Sequence, residues 1–224
     1  MEKVEERLAL RIFHEQVVEF KPTPLKHHEN EPNAPLSPIF FNLRTENNPG
    51  KKGPLSHDLV SNIGRVLYSQ IIKSQIHFHY VVGVPWAGEP FAEAVCFTNR
   101  LFSGRAELIK LIKKEEENGS RKIIGIVDGY KITPGSRALL VDDLITKSYS
   151  KLEAIRVLEA AGLKVKDILV VIDREQGGEE ELKKEGYNLR AIYKISDLLM
   201  LYLNKGIITR QKHDEVMEYI YVNR

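Results

Sequence analysis

The stretch ALLVDDLITKSYSK, residues 138–151, decides the reading of this chain. Four apolar residues, Ala138 to Val141, lead into two adjacent carboxylates, Asp142 and Asp143. Hydroxyls follow at Thr146, Ser148, Tyr149 and Ser150. A short continuous apolar run of this kind fits a strand buried on both faces, as in a parallel sheet. Residues 149–161 then carry Leu152, Ile155 and Leu158 at helical spacing and stop at Gly162. Amides at a helix N-terminus, helped by hydroxyls, bind anions. Two carboxylates beside them suit the vicinal hydroxyls of a sugar. Together they describe a cradle for a ribose 5-phosphate, although the pattern alone equally allows Asp142 and Asp143 to cap the segment that follows.

Working outward, the same grammar repeats. HYVVGV (79–84) and DILVVID (167–173) are further continuous apolar strands, and RKIIGIV (121–127) and a segment near 189–193 read the same way. Helices are expected over 1–13, from the cap Ser56 with Leu59, Ile63, Val66, Leu67 and Ile71 on one face, after the turn at 85–90 to about 98, over 178–185, and from Ser196 and Thr209. Alternating apolar strands and amphipathic helices indicate an α/β fold, a parallel sheet flanked by helices. The N-terminal part differs. Pro22, Pro24, Pro32, Pro35 and Pro38 make 21–38 irregular, and SPIFFNLR (37–44) is a lone strand candidate before another loop at 45–56. The expectation is one domain over 1–224, with an irregular hood subdomain over about 1–56 and an α/β core over about 57–224.

Bulk properties exclude several classes. The 224 residues can bury a core without staples. Lys and Arg number 33 against 31 Asp and Glu, so the net charge of +2 speaks against a nucleic-acid binder working by bulk charge. A single cysteine, Cys96, excludes an internal disulfide framework and is expected in the core. His77 and His79 share a strand face but lack a third ligand. No apolar run reaches the roughly 20 residues that span a bilayer, and the charged N-terminus lacks a signal core. The expected setting is the cytoplasm, with no membrane and no nucleic acid as partners.

In an open α/β sheet, ligands sit beyond the carboxyl ends of the strands, so the residues following each strand carry the chemistry. VDDLITKSYS resembles the phosphoribosyl-pyrophosphate motif of type I phosphoribosyltransferases. SPIFFNLR, VVGVPWAGEPFA (81–92), KKEEENG (113–119), LKVKDILVVIDREQGG (163–178) and IYKISDLLMLYL (192–203) fall in the order seen in orotate phosphoribosyltransferases. IDREQGG looks especially like the orotate domain of uridine monophosphate synthases. The resemblance covers about residues 10–205.

The resemblance implies a type I phosphoribosyltransferase fold, orotate and phosphoribosyl pyrophosphate as substrates, Mg²⁺ as cofactor and a homodimer. It implies that Asp142 and Asp143 bind the ribose hydroxyls, directly or through Mg²⁺ carried by the substrate. Thr146, Lys147, Ser148, Tyr149 and Ser150 would hold the 5-phosphate. Val84, Pro85, Trp86, Ala87 and Gly88 would form the pyrophosphate loop, Arg174 would grip the orotate carboxylate, and Phe40 and Phe41 would flank the ring. Lys26 would reach the ligand phosphates, and Lys113 and Lys114 would supply catalytic cations. Two departures stand out. The family has a glycine where this chain has Ser148 or Tyr149. Its catalytic loop reads roughly Arg-Lys-Glu-x-Lys-x-x-Gly, so a key lysine falls on Glu117, with Arg121 or Lys122 as possible substitutes. Those departures keep a rival open: a weakly active or non-catalytic relative that senses the same ligand.

Overall fold

The computed structural model describes residues 2–25, 33–116 and 121–224. The sheet at its centre has five strands, β3 (Tyr80–Gly83), β4 (Glu107–Ile109), β7 (Arg137–Ile145), β8 (Lys164–Asp173) and β9 (Asn188–Lys194), in the order β4-β3-β7-β8-β9. Every pairing is parallel, with Val81 opposite Leu139 and Val141 opposite Leu169. Side chains alternate along each strand and so feed two cores. Val81, Leu139, Val141, Leu169 and Val171 face one core, closed by α1 (Lys3–His14), α2 (His57–Lys73), α3 (Glu89–Leu101), α6 (Ile195–Asn204) and α7 (Arg210–Val222). Val82, Leu140, Ile168 and Val170 face the other, closed by α4 (Tyr149–Ala160) and α5 (Gly178–Lys184). Both faces are covered, as continuous apolar strands require.

Local signals set the helices. Ser56 accepts from the Leu59 amide at 3.2 Å and starts α2, and Thr209 does the same for Lys212 and α7. Gly162 leaves α4 with φ of +86°, a left-handed conformation open to glycine.

Four expectations need correction. RKIIGIV does not join the central sheet. It forms β6 (Arg121–Ile126), antiparallel to β5 (Leu111–Glu115), as a separate two-stranded arm. Its exposed Ile124 explains why: the segment has one buried face, not two. SPIFFNLR supplies only β2 (Phe40–Phe41), paired antiparallel with the two-residue β1 (Val18–Glu19), the Asn42 amide donating to the Val17 carbonyl at the end of the pair. The strand of the deciding stretch, read as RALLVDD (137–143) with both aspartates at its end, runs two residues further to Ile145. The edge strand β4 was not expected, being three residues in a charged context.

Helices α2 and α3 approach closely at Gly64, where an added Cβ would stand 2.4 Å from the Ala94 Cβ of α3. Helix propensity favours alanine over glycine by about 1 kcal/mol. Overpacking costs about 1–3 kcal/mol, and the clash should win. Gly64→Ala should therefore lower stability in urea unfolding; a stabilised variant would contradict this packing.

Candidate active site

One cleft of about 750 Å³ opens at the carboxyl ends of β3, β7 and β8. It gathers Phe40, Phe41, Val84, Pro85, Trp86, Ala87, Lys113, Asp142, Asp143, Thr146, Lys147, Tyr149, Ser150 and Arg174. Three expected residues stand apart from its wall. Lys114 is exposed on the far face of β5, since neighbouring residues of a strand point opposite ways. Ser148 is buried behind the loop. Gly88 serves packing: a Cβ there would meet the Val141 carbonyl oxygen at 2.5 Å, so glycine lets α3 start against β7. Lys26 and Glu117 lie outside the described residues.

At the base of the cleft Arg174 is 1% exposed. Its Nη2 donates to Ser37 Oγ at 2.8 Å, its Nη1 to the Ile39 carbonyl at 3.3 Å and its Nε to Gln176 Oε1 at 3.0 Å. Its Cζ lies 5.9 Å from the Phe41 ring centre. Among the described residues it has no carboxylate within ion-pair distance. Burial pulls it down to about 10. A guanidinium offers five N–H donors, so this one keeps capacity and an unbalanced charge for an anion in the cleft.

The acid pair sits across from it. Asp142 Oδ1 accepts from the Asp143 amide at 2.9 Å, and Asp143 Oδ1 from the Leu144 amide at 2.7 Å. Burial, followed by the Asp142 carboxylate, pushes Asp143 up to about 7, against the pull of Lys151. Lys151, unforeseen in the sequence, places Nζ 2.6 Å from Asp142 Oδ2.

The loop over 146–150 does without the expected glycine and is unstrained. Ser148 has φ of −81° and ψ of −6°, an ordinary right-handed conformation. Its amide and hydroxyl donate to Glu181 Oε2 at 2.9 and 2.6 Å, which turns its side chain behind the loop. Tyr149 begins α4 and points largely to solvent. Thr146, Lys147 and Ser150 remain on the cleft side.

The β5–β6 arm reaches back over the loop that follows β3 in its own chain. Lys113 Nζ donates to the Pro85 carbonyl at 2.7 Å and stands 5.3 Å from the Trp86 ring centre. Arg121 stacks on Trp86 at the same distance and lines the cleft. Lys122 instead pairs with Glu116 at 2.9 Å on the exposed side. Arg44, Asn48 and Lys51 also line the wall, and the buried Asn48 Nδ2 has no partner among the described residues.

His77 and His79 line a different groove, at the amino ends of β3 and β4, and Cys96 is buried. No group of three His, Cys, Asp or Glu suited to a metal occurs among the described residues.

Residues 56–196 match the model of the phosphoribosyl transferase domain. The chain belongs to the phosphoribosyl transferase family. It is 31% identical over 182 residues to an orotate phosphoribosyltransferase of Sulfurisphaera tokodaii, covering 78% of this chain and 88% of that protein. It is 29% identical over 188 residues to the uridine 5′-monophosphate synthase of Bos taurus, covering 84% of this chain and 36% of that protein. The chain thus spans about a third of the length of the uridine monophosphate synthases it matches. The Leishmania donovani UMP synthase structure shares the fold with a TM-score of 0.72 at 24% identity, over 96% of this chain and 42% of that one.

Asp173, just before Arg174, yields a pH test. Burial raises its carboxyl to about 6, with the Glu175 amide opposing at 2.8 Å and the Glu179 and Glu175 carboxylates adding to the rise. The unfolded group titrates near 3.8, so its ionisation penalises the fold as pH climbs from there through 6. Asp173→Asn keeps the acceptor. It should be more stable than the parent at pH 8 and lose that advantage by pH 4 in denaturant titrations. A pH-independent difference would refute the burial cause.

Proposed function

We propose that the chain is an orotate phosphoribosyltransferase of pyrimidine nucleotide biosynthesis, forming orotidine 5′-monophosphate and pyrophosphate from orotate and phosphoribosyl pyrophosphate. The observation that carries this reading is Arg174, a buried cation without a carboxylate partner among the described residues, in the same cleft as an acid pair and the hydroxyl-bearing loop after β7. Its planar fork suits a carboxylate on a flat base, which a purine substrate lacks. Phe40 and Phe41 supply the apolar wall for the ring. Asp142 and Asp143 take the ribose hydroxyls. Thr146, Lys147 and Ser150 take the 5-phosphate at the start of α4. The strand-end loop Val84–Ala87, with Lys113 and Arg121 above it, receives the pyrophosphate.

The reaction needs alignment and charge, not a covalent nucleophile. The ring nitrogen of orotate bonds to the anomeric carbon as the bond from that carbon to pyrophosphate oxygen breaks. Pyrophosphate leaves with the electron pair, and the nitrogen's proton passes to solvent. The cleft holds the two reactants in line, which removes the entropic cost of their meeting. Lys113 and Arg121 meet the negative charge as it develops. Mg²⁺ would neutralise the pyrophosphate, and the donor set fits an ion brought by the substrate: the two aspartates reach it through the sugar hydroxyls and form no cage of their own.

Arg121 also weighs against the sensor alternative. The cation that Glu117 fails to supply has a substitute on the cleft wall. We read residues 1–56 as the hood and 57–224 as the core of one domain, and the active form as a homodimer. Phe97, Leu101 and Phe102 lie exposed on and just after α3 and offer a second copy an apolar face. None of the described helices is long and apolar enough to cross a membrane, in keeping with a cytoplasmic setting.

The test is a steady-state assay with orotate, phosphoribosyl pyrophosphate and Mg²⁺, with purine bases as competitors. The expected product is orotidine 5′-monophosphate, and formation of a purine nucleotide instead would overturn the assignment. Arg121→Ala should slow turnover about a hundredfold, the scale of one donor to a developing anion. Lys122→Ala should leave it unchanged; the reverse order would move the catalytic cation to Lys122.

A further inference from the structure

The loop between β2 and α2 enters the cleft wall held by its own backbone. Thr45 is buried, and its carbonyl accepts from the Asn48 and Gly53 amides at 3.2 and 3.0 Å. The Arg44 carbonyl accepts from the Leu55 amide at 3.0 Å. Asn48 is 8% exposed, and its Oδ1 accepts from the Gly50 and Lys51 amides at 3.0 and 3.1 Å. Those two bonds fix which end of the side-chain amide faces the turn. Nδ2 is left facing away from them, buried and with no partner among the described residues. A buried donor of this kind calls for an acceptor.

The loop also brings charge. Arg44 and Lys51 line the cleft with Asn48. Other cations of the wall are already answered by carboxylates: Arg121 by Glu115, Lys147 by Glu181 and Lys151 by Asp142. Among the described residues Arg44 and Lys51 have no carboxylate within ion-pair distance, and Arg44 Nη1 meets only the neutral Asn42 Oδ1, at 3.4 Å. Gly50 sets the loop against the one that follows β3, since a Cβ there would stand 2.5 Å from Trp86 Cε3.

We propose that Arg44, Asn48 and Lys51 form a fixed donor set that binds the pyrophosphate group of phosphoribosyl pyrophosphate before the reaction starts. The inference rests on the reading above and deepens it: the N-terminal segment, and not only the β5–β6 arm, recognises the leaving group. A guanidinium, an ammonium and a neutral amide donor suit an acceptor with many oxygens and several negative charges. The set adjoins Trp86, in the loop assigned to pyrophosphate. It also returns to the site, from another part of the chain, positive charge that Glu117 removes from the 113–119 stretch. Its timing differs from that of Lys113 and Arg121. Donors locked in place hold the bound substrate and the departing group alike, so they lower KM more than they raise kcat.

Calorimetry in the presence of Mg²⁺ tests this with phosphoribosyl pyrophosphate, inorganic pyrophosphate and ribose 5-phosphate, the last of which lacks the pyrophosphate group. Arg44→Gln combined with Lys51→Gln should weaken the first two by about tenfold or more, the scale of a lost charge-assisted hydrogen bond, and spare ribose 5-phosphate. Asn48→Asp keeps the acceptor for the Gly50 and Lys51 amides but replaces the donor with negative charge, and it should show the same selectivity. Lys52, next along the chain, lines a separate groove with Gln16 and Asn42, so Lys52→Gln should match the parent. In steady state the double variant should raise the KM for phosphoribosyl pyrophosphate while kcat stays near that of the parent. The proposal fails if the double variant binds pyrophosphate as the parent does, if ribose 5-phosphate is weakened equally, or if Lys52→Gln costs as much. Should Asn48→Asp not fold, the double variant decides alone. A parent that does not bind phosphoribosyl pyrophosphate would sink the enzymatic reading as well, whereas a parent that binds it no better than the double variant would sink only the role of this loop.

Discussion

A guanidinium buried with no carboxylate beside it among the described residues is the constraint around which this molecule is arranged. Removing a charge from water costs several kcal/mol unless hydrogen bonds and partners compensate. Arg174 collects its neutral partners from distant parts of the chain: Ser37 and Ile39 from the N-terminal segment and Gln176 from its own loop. Gln176 in turn reaches the Asn223 carbonyl after α7. The N-terminal segment is thus tied to the end of β8 through a residue that lines the cleft. An anion in the cleft would supply the missing charge, so ligand binding and local order are linked.

The other end of the cleft uses the opposite strategy. There the protein meets its own charges before any ligand arrives. Lys151 answers Asp142, and Glu181 occupies the amide and hydroxyl of Ser148. Both contacts fix direction: one aims the acid pair, the other holds the turn into α4. Of the β5–β6 arm's cations, Lys113 and Arg121 lie over Trp86, Lys113 donates to the Pro85 carbonyl and Arg121 pairs with Glu115 at 3.3 Å on the surface, contacts weak enough to give way to a phosphate. Rigid carboxylates and yielding cations suit a reaction in which the sugar must stay still while pyrophosphate departs.

The sequence made the sheet legible because β3, β7 and β8 are buried on both faces and read as unbroken apolar runs. Asp142, Arg174 and Trp86 were visible because strand ends and their loops are where such a fold binds ligands. Pairing partners were less visible. The strands of the β5–β6 arm, LIKKE and RKIIGI, each join a charged block to an apolar one, and only tertiary contacts separate the arm from the central sheet. Lys151 left one usable trace, a lysine on the apolar stripe of α4, which calls for a buried partner. Arg44, Asn48 and Lys51 left none: they enter the cleft through loop geometry that no periodicity records. The glycine expected near Ser148 proved unnecessary because the backbone there is right-handed and Glu181 takes the side chain away from the cleft.

The central claim is that the Arg174 charge selects an anionic base. Orotate and uracil differ by one carboxylate, so their affinities for the chain loaded with phosphate-bearing sugar isolate that charge. Calorimetry should show orotate binding at least thirtyfold more tightly, as a charge-assisted pair worth about 2–3 kcal/mol requires. Equal affinities for the two bases would contradict the account.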